Sequence, residues 1–336
     1  MIRVGMVGAL GYGGRELMRL LMAHPEAELT AAVDIEGGQP LSDVLPGFRK
    51  LTDLTIETFD AQALAKRCDV VFIAVPGTKS MVIGAALRAA GARVMDLGSD
   101  FRLQDPAAYK QFYKADYTHP ELVAEAVYGL VPWYRDRIPG ASLVAVPGCF
   151  PISVILPLRP LVDAAAPQVP VVVNAISGVS GAGRALHEVF HFPAMNENVR
   201  AYKLAVHQHI PEIEQEIGGR VQVQFTPHVA SHSRGILSTI VVRPSRAVDL
   251  DAVYACYENE PFVRVLGAGK IPDLNHVRAS NFCDFGWVMD DRTGNLIIVS
   301  VIDNLVGGTA GMGIQCMNLA FGLDERTGLR LPGMAP

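Results

Sequence analysis

The stretch Ile2–Gly14, IRVGMVGALGYGG, decides the fold of the first half of the chain. Residues 2–7 (IRVGMV) read as a buried strand, and glycines follow at once. Apolar periodicity from about 13 to 24 then reads as a helix ending near His24-Pro25. Strand, glycine turn and helix in that order form the opening unit of a dinucleotide-binding sheet. Gly8, Gly11 and Gly14 have the spacing GxxGxxG, with Gly13 adjacent. Glycines there permit a tight turn and close approach to a pyrophosphate, which the free N–H groups and dipole of the helix start favour. Working outward, residues 27–34 read as a second strand, 70–75 and 92–97 as two more with a helix at about 79–90 between them, and 142–147 as another. Short apolar strands separated by helices imply a doubly wound parallel sheet. Asp34 closes the second strand, where a carboxylate accepts the ribose hydroxyls of NAD and repels the 2′-phosphate of NADP.

The segment 144–158, VAVPGCFPISVILPL, carries the chemistry. A strand runs into Pro147-Gly148, and a proline-started helix follows Cys149 to about Ala165. Cys149 therefore sits at a helix N-terminus, where the dipole and free N–H groups favour a thiolate and can hold an oxyanion. Beyond it the texture changes. Runs at 169–177, 221–229, 236–244 and 296–303 read as strands with fewer helices between them. The expected fold is α/β plus α+β: a Rossmann-like domain at 1–148 plus 304–336, and a catalytic and dimerisation domain at 149–303 on a mostly antiparallel sheet. A last helix at about 308–322 is placed back on the first domain.

Composition narrows the class further. The chain has 336 residues, which suits two domains, with 50% hydrophobic and 19% charged residues and a formal charge of −5. No Lys/Arg block stands out, which argues against a nucleic-acid partner. No apolar run reaches the length of a membrane span, and the N-terminal stretch lacks the parts of a signal peptide, so a cytoplasmic setting is expected. Cys68, Cys149, Cys256, Cys283 and Cys316 form no CxxC pair, which speaks against a disulfide framework or a metal site.

A catalytic thiol needs a base. His207 and His209 lie in AYKLAVHQHIPEIEQEIG at 201–218. Residues two apart do not share a helix face, so one of the two is expected to point at the sulfur, with Glu212 or Glu214 orienting it.

The glycine turn, PGCFP and HQHIPEIEQ, in that order, resemble the N-acetyl-γ-glutamyl-phosphate reductase family, which belongs with the aspartate-semialdehyde dehydrogenases. The likeness runs nearly the whole length, through DLGSDFRL at 96–103, HPELVAEAVYGL at 119–130, SGVSGAGR at 177–184, NENVRAY at 196–202, FTPH at 225–228, RGILST at 234–239, SNFCD at 280–284 and VSVIDNLVGG at 299–308. The resemblance implies a thioester formed by Cys149 from an acyl phosphate and reduced by NADPH to a semialdehyde, as a step of arginine biosynthesis. It implies His207 first and His209 second as acid/base, Tyr12 within the cofactor loop, and Arg102 at the phosphate. Ser177, Gly178, Arg184, Tyr202 and Glu212 are implied at the substrate, and Asn304 at the nicotinamide amide. Partners are then an acyl phosphate and inorganic phosphate, in a homo-oligomer, dimer or tetramer.

Some positions depart from the family's habit. Leu10 and Gly13 replace a small hydroxyl residue and a threonine, Asp34 stands near where the family carries Ser-Arg, Ile152 follows Pro151 in place of threonine, and Gly307 replaces a common lysine. NADP is thus expected from the resemblance, with NAD possible from Asp34. Other readings are a paralogue for another acyl phosphate, such as carrier-bound α-aminoadipyl or aspartyl phosphate, and a non-catalytic nicotinamide-binding regulator.

Overall fold

A computed structural model describes residues 1–165 and 167–335; Pro336, the last residue of the C-terminal segment assigned to the first domain, lies outside the described residues. The chain divides into two units, one of Met1–Pro147 with Thr309–Arg330 and one of Gly148–Gly308 with the tail from Leu331.

The first unit is built on β1 (Ile2–Val7), β2 (Ala27–Val33), β3 (Ile56–Glu57), β4 (Val70–Ile73), β5 (Arg93–Asp96), β6 (Val127–Tyr128) and β7 (Leu143–Ala145). Their order is β3-β2-β1-β4-β5-β7-β6, and every pairing is parallel. All four residues of β4 are buried, as expected of a strand covered on both faces. The order reverses between β1 and β4, so the loop leaving β1 opens at the switch point where such sheets bind ligands. That loop enters the helix Tyr12–Leu21, which buries Leu17, Met18, Leu20 and Leu21. The helix Gly311–Ala320 packs against β5 and against Tyr12–Leu21.

The second unit contains β8 (Pro167–Gly178), β9 (Val199–Ala201), β10 (Val223–Ala230), β11 (Ile236–Pro244), β12 (Val263–Ala268), β13 (Cys283–Asp290) and β14 (Asn295–Ile302). They form one sheet in the order β12-β13-β14-β11-β8-β10-β9. Four of its pairings are antiparallel, while β8–β10 and β12–β13 are parallel. The sheet is therefore mixed with an antiparallel majority, which bears out the expected fold class. Along β11, Ile236, Ser238, Ile240 and Val242 are buried and alternate with more exposed residues, the period of a strand with one covered face.

The helix Cys149–Ala164 lies on this sheet against β8, β11 and β14. Pro157 and Pro160 stand inside it. A proline removes the hydrogen bond to the carbonyl one turn earlier. For Pro160 that carbonyl is Leu156, whose oxygen instead accepts the Tyr257 hydroxyl at 2.6 Å. A buried side chain thus satisfies what the helix cannot.

Candidate active site

In the first unit, Gly8 has φ +87°, and a Cβ there would lie 2.3 Å from the Ala74 carbonyl oxygen. A Cβ at Gly14 would come equally close, 2.3 Å, to the Gly8 carbonyl oxygen. Both positions therefore require glycine, one for its backbone conformation and one for helix–loop packing. Gly13 has ordinary room, its nearest neighbour being the Thr309 methyl at 3.6 Å. Gly11 caps the helix without a side-chain hydrogen bond, so the N-terminus presents backbone alone. Tyr12 is 37% exposed beside it, with the Arg15 guanidinium 5.9 Å from its ring centre. Asp34 follows β2. Its Oδ2 accepts the Leu10 N–H and its Oδ1 the Ile35 N–H, both at 2.8 Å. The carboxylate is thus pinned to the glycine loop itself. This set of a glycine cradle, a bare helix start and a fixed acceptor fits a dinucleotide.

Arg102 also belongs to this unit and is 6% exposed. Its Nε donates to the Val146 carbonyl at 2.8 Å and its Nη2 to the Leu97 carbonyl at 3.0 Å. Around it, Asp100 accepts the Thr78 and Met81 N–H groups and the Tyr109 hydroxyl. Burial, and then the Asp100 charge, push Asp96 up to about 7. The DLGSDFRL motif is therefore a buried polar brace for the ends of β5 and β7.

In the second unit, Cys149 is half-buried at the first position of its helix. The N–H of Gly148, just before it, donates to Glu212 Oε1 at 2.8 Å. Glu212 is fully buried, so this carboxylate sets the start of the nucleophile's helix. Glu214 accepts the Val223 N–H at 2.9 Å and ties its own helix to β10. Each acid thus holds backbone.

His207 precedes the helix His209–Glu216, so the rule that separates residues two apart on a helix does not apply to this pair. Their rings stand 4.8 Å apart, and both lie edge-on to Phe150, at 5.6 and 5.9 Å. His207 Nδ1 accepts the His209 N–H at 3.1 Å, which assigns the proton of the neutral ring to Nε2. Burial first, then His209 and Lys203, push His207 down to about 2, so its ring is neutral. Tyr202 packs 5.5 Å from His207. Burial, and then the nearby Cys149, hold its phenol above the usual range. By contrast burial raises the thiols of Cys68, Cys256, Cys283 and Cys316, which keeps them protonated.

Beside these rings opens a cavity of about 450 Å³, lined among others by Ser177, Gly178, Tyr202, Lys203, His207 and His209. Ser177 is 3% exposed and its hydroxyl donates to the Gly178 carbonyl. A Cβ at Gly178 would meet the Ser233 backbone at 2.7 Å, so glycine lets that loop close. Asn304 joins the loops here, its Oδ1 accepting the Gly235 N–H at 2.7 Å and its Nδ2 donating to Ser180 at 2.9 Å. Arg184 is exposed on the loop between the lining residues Ala182 and His187. Ile152 is 1% exposed, and its N–H returns to the Gly148 carbonyl. The sequence reading missed Lys203, Gln208 and His187 in the lining, and Gly308, whose Cβ would lie 2.8 Å from that of Cys149. Only the closeness of Lys203 to Tyr202 and His207 in the chain hinted at it.

Among the described residues no helix is long and apolar enough to cross a membrane. Residues 3–141 match the semialdehyde dehydrogenase NAD-binding domain, and residues 149–304 the semialdehyde dehydrogenase dimerisation domain. An N-acetyl-γ-glutamyl-phosphate reductase of Symbiobacterium thermophilum is 47% identical, over 98% of this chain and 97% of its own length. One from Desulforudis audaxviator is 44% identical over 100% of both. Among solved structures, aspartate semialdehyde dehydrogenase II of Vibrio cholerae superposes with a TM-score of 0.72 at 16% identity, covering 96% of this chain and 99% of its own. The Candida albicans aspartate semialdehyde dehydrogenase with NADP gives 0.70 at 18% identity, covering 95% and 98%. At such identities these structures speak for the fold alone. With near-full-length relatives above 40% identity, the chain belongs to the N-acetyl-γ-glutamyl-phosphate reductase family, assembled from semialdehyde dehydrogenase domains.

Proposed function

We propose that the chain reduces N-acetyl-γ-glutamyl phosphate to the semialdehyde and phosphate through a thioester on Cys149. The observation that carries this reading is the half-buried Cys149 at the start of its helix, beside the ring group of Phe150, His207 and Tyr202. The helix start favours the thiolate, whose sulfur attacks the acyl carbon. A C–S bond forms, the bond from carbon to the phosphate oxygen breaks, and phosphate leaves with the electron pair. Backbone N–H groups of the same helix turn steady the oxyanion. The Glu212–Gly148 bond keeps that turn in place. When bound, the reduced nicotinamide supplies a hydride to the thioester carbon. His207 presents its Nε2 proton to the oxygen as negative charge gathers there, and the C–S bond then breaks to return the thiolate. His209 holds the His207 tautomer through its N–H.

Gly8, Gly11 and Gly14 cradle the pyrophosphate at the start of Tyr12–Leu21. Asp34 receives the ribose hydroxyls. Because Leu10 and Ile35 fix both of its oxygens, the carboxylate stays where a 2′-phosphate would sit, so NAD is preferred over the family's habitual NADP. Ser177, Gly178 and Tyr202 shape the acyl site, and Asn304 holds its loops. Arg102 braces the segment leading into Cys149. The chain pairs with a second copy through residues 149–304 and works in the cytoplasm.

Phosphate-dependent oxidation of N-acetylglutamate semialdehyde, run with NAD and NADP in parallel, tests the reading. Turnover that needs phosphate and vanishes in Cys149→Ala supports it. A protein that binds cofactor yet oxidises nothing with phosphate contradicts it.

A further inference from the structure

The cavity beside His207 must recognise an anionic acyl chain as well as activate one end of it. Among the described residues that line it, Lys203 alone is a lysine, arginine, aspartate or glutamate. Its position is set in two ways. The backbone at Lys203 has φ +47°, in the left-handed region that side-chain-bearing residues avoid. Its Nζ donates to the Gln208 Oε1 at 2.8 Å, and Gln208 lines the same cavity. Strained backbone held by a side-chain clamp is the pattern of functional positions. Tyr202 and His207, whose rings pack 5.5 Å apart, line the same cavity as Lys203.

A chain held as a thioester on Cys149 extends its far end away from the sulfur, into the cavity that Lys203 lines. Resting on the function proposed above, we propose that the Lys203 ammonium binds the α-carboxylate of the acyl substrate. A hydrogen bond from an ammonium to a carboxylate is charge-assisted, and stronger than one between neutral groups.

Kinetics in the direction of semialdehyde oxidation separates the two anions the ammonium can serve. Lys203→Met is expected to raise the KM for the semialdehyde about tenfold or more, with the KM for phosphate within about twofold of wild type. Turnover of 4-acetamidobutanal, which keeps the aldehyde and acetamide but lacks the carboxylate, is expected to be unchanged. Lys203→Arg is expected to restore much of the loss, since it returns the charge. A phosphate KM that rises in place of the semialdehyde KM overturns the proposal, and so do equal losses on both aldehydes. Calorimetry with N-acetylglutamate reads the contact without turnover. A Kd about tenfold weaker in Lys203→Met supports the contact, and an unchanged Kd overturns it. Lys203-dependent binding in a wild type that oxidises no semialdehyde would uphold this contact and sink the proposed reaction.

Discussion

Replacing Gly308 with alanine sets one methyl group against the nucleophile. A Cβ there would lie 2.8 Å from the Cys149 Cβ and 3.2 Å from both the Asp303 carbonyl oxygen and the Ile302 Cδ1. Non-bonded carbons pack at about 3.5–4.0 Å, so the first contact is short by about an ångström. The far side cannot yield easily. Asp303 is buried, its carboxylate accepts the N–H groups of Ala279, Leu305 and Val306, and its carbonyl accepts the Gly308 N–H at 2.8 Å. The strain therefore falls on Cys149. Overpacking of this kind costs about 1–3 kcal/mol of stability. A reacting atom moved by about an ångström loses about a hundredfold in rate. Gly308→Ala is expected to lower kcat about a hundredfold with little change in the KM for semialdehyde, and to slow alkylation of Cys149 in the native protein. Steady-state kinetics and timed labelling read both effects. Wild-type kcat with wild-type labelling would refute the close approach of the Gly308 backbone to the nucleophile.

Three further outcomes are expected. Glu212→Ala strands the buried Gly148 N–H, so chemical denaturation should show a loss of about 1–3 kcal/mol together with a lower kcat, and Glu212→Gln, which keeps an acceptor, should lose less. Asp34→Ser removes the pinned charge, and fluorescence titration should show NADPH bound about tenfold more tightly while NADH binds more weakly; an unchanged preference would remove Asp34 from cofactor choice. His207 is held neutral in the fold, down to about 2, whereas the unfolded chain takes a proton there near pH 6.5. Stability from this group is therefore full above about pH 6.5 and lost as pH falls toward about 2, at up to about 1.4 kcal/mol per unit. Denaturation at pH 7 and pH 5 should accordingly show wild type losing about 2 kcal/mol more than His207→Gln, and equal losses would contradict the buried neutral ring.

What was legible in the sequence follows from how strongly each segment is patterned. β4 is apolar throughout, and β1 is apolar but for the exposed Arg3, because helices cover both faces, and such runs are hard to mistake. β3 and β6 are two residues long and leave no period to detect. β9 is a sheet edge with all three residues exposed, so nothing alternates. β12 carries Gly267 at φ +90° where its register with β13 shifts. β13 looks polar because of Asp284, yet that side chain is buried against Arg264 in a two-pronged ion pair at 2.7 and 2.8 Å. The parallel pairing of β8 with β10 depends on which strands become neighbours, a long-range choice with no local signature. At the site, Cys149 was visible because a proline-started helix follows it. The backbone contacts of Glu212 and Glu214 were not, since each reaches into a different element of the chain. Lys203 lacked any spacing signal, as its position comes from a strained turn and not from an element.

The thioester on Cys149 is the central claim, and withholding phosphate isolates it. With semialdehyde and oxidised cofactor but no phosphate, acyl transfer out of the enzyme stops. The account predicts a single burst of about one equivalent of reduced cofactor per chain, and an acyl adduct on the peptide containing Cys149 by mass spectrometry. Sustained turnover without phosphate, or an adduct on any other residue, would contradict it.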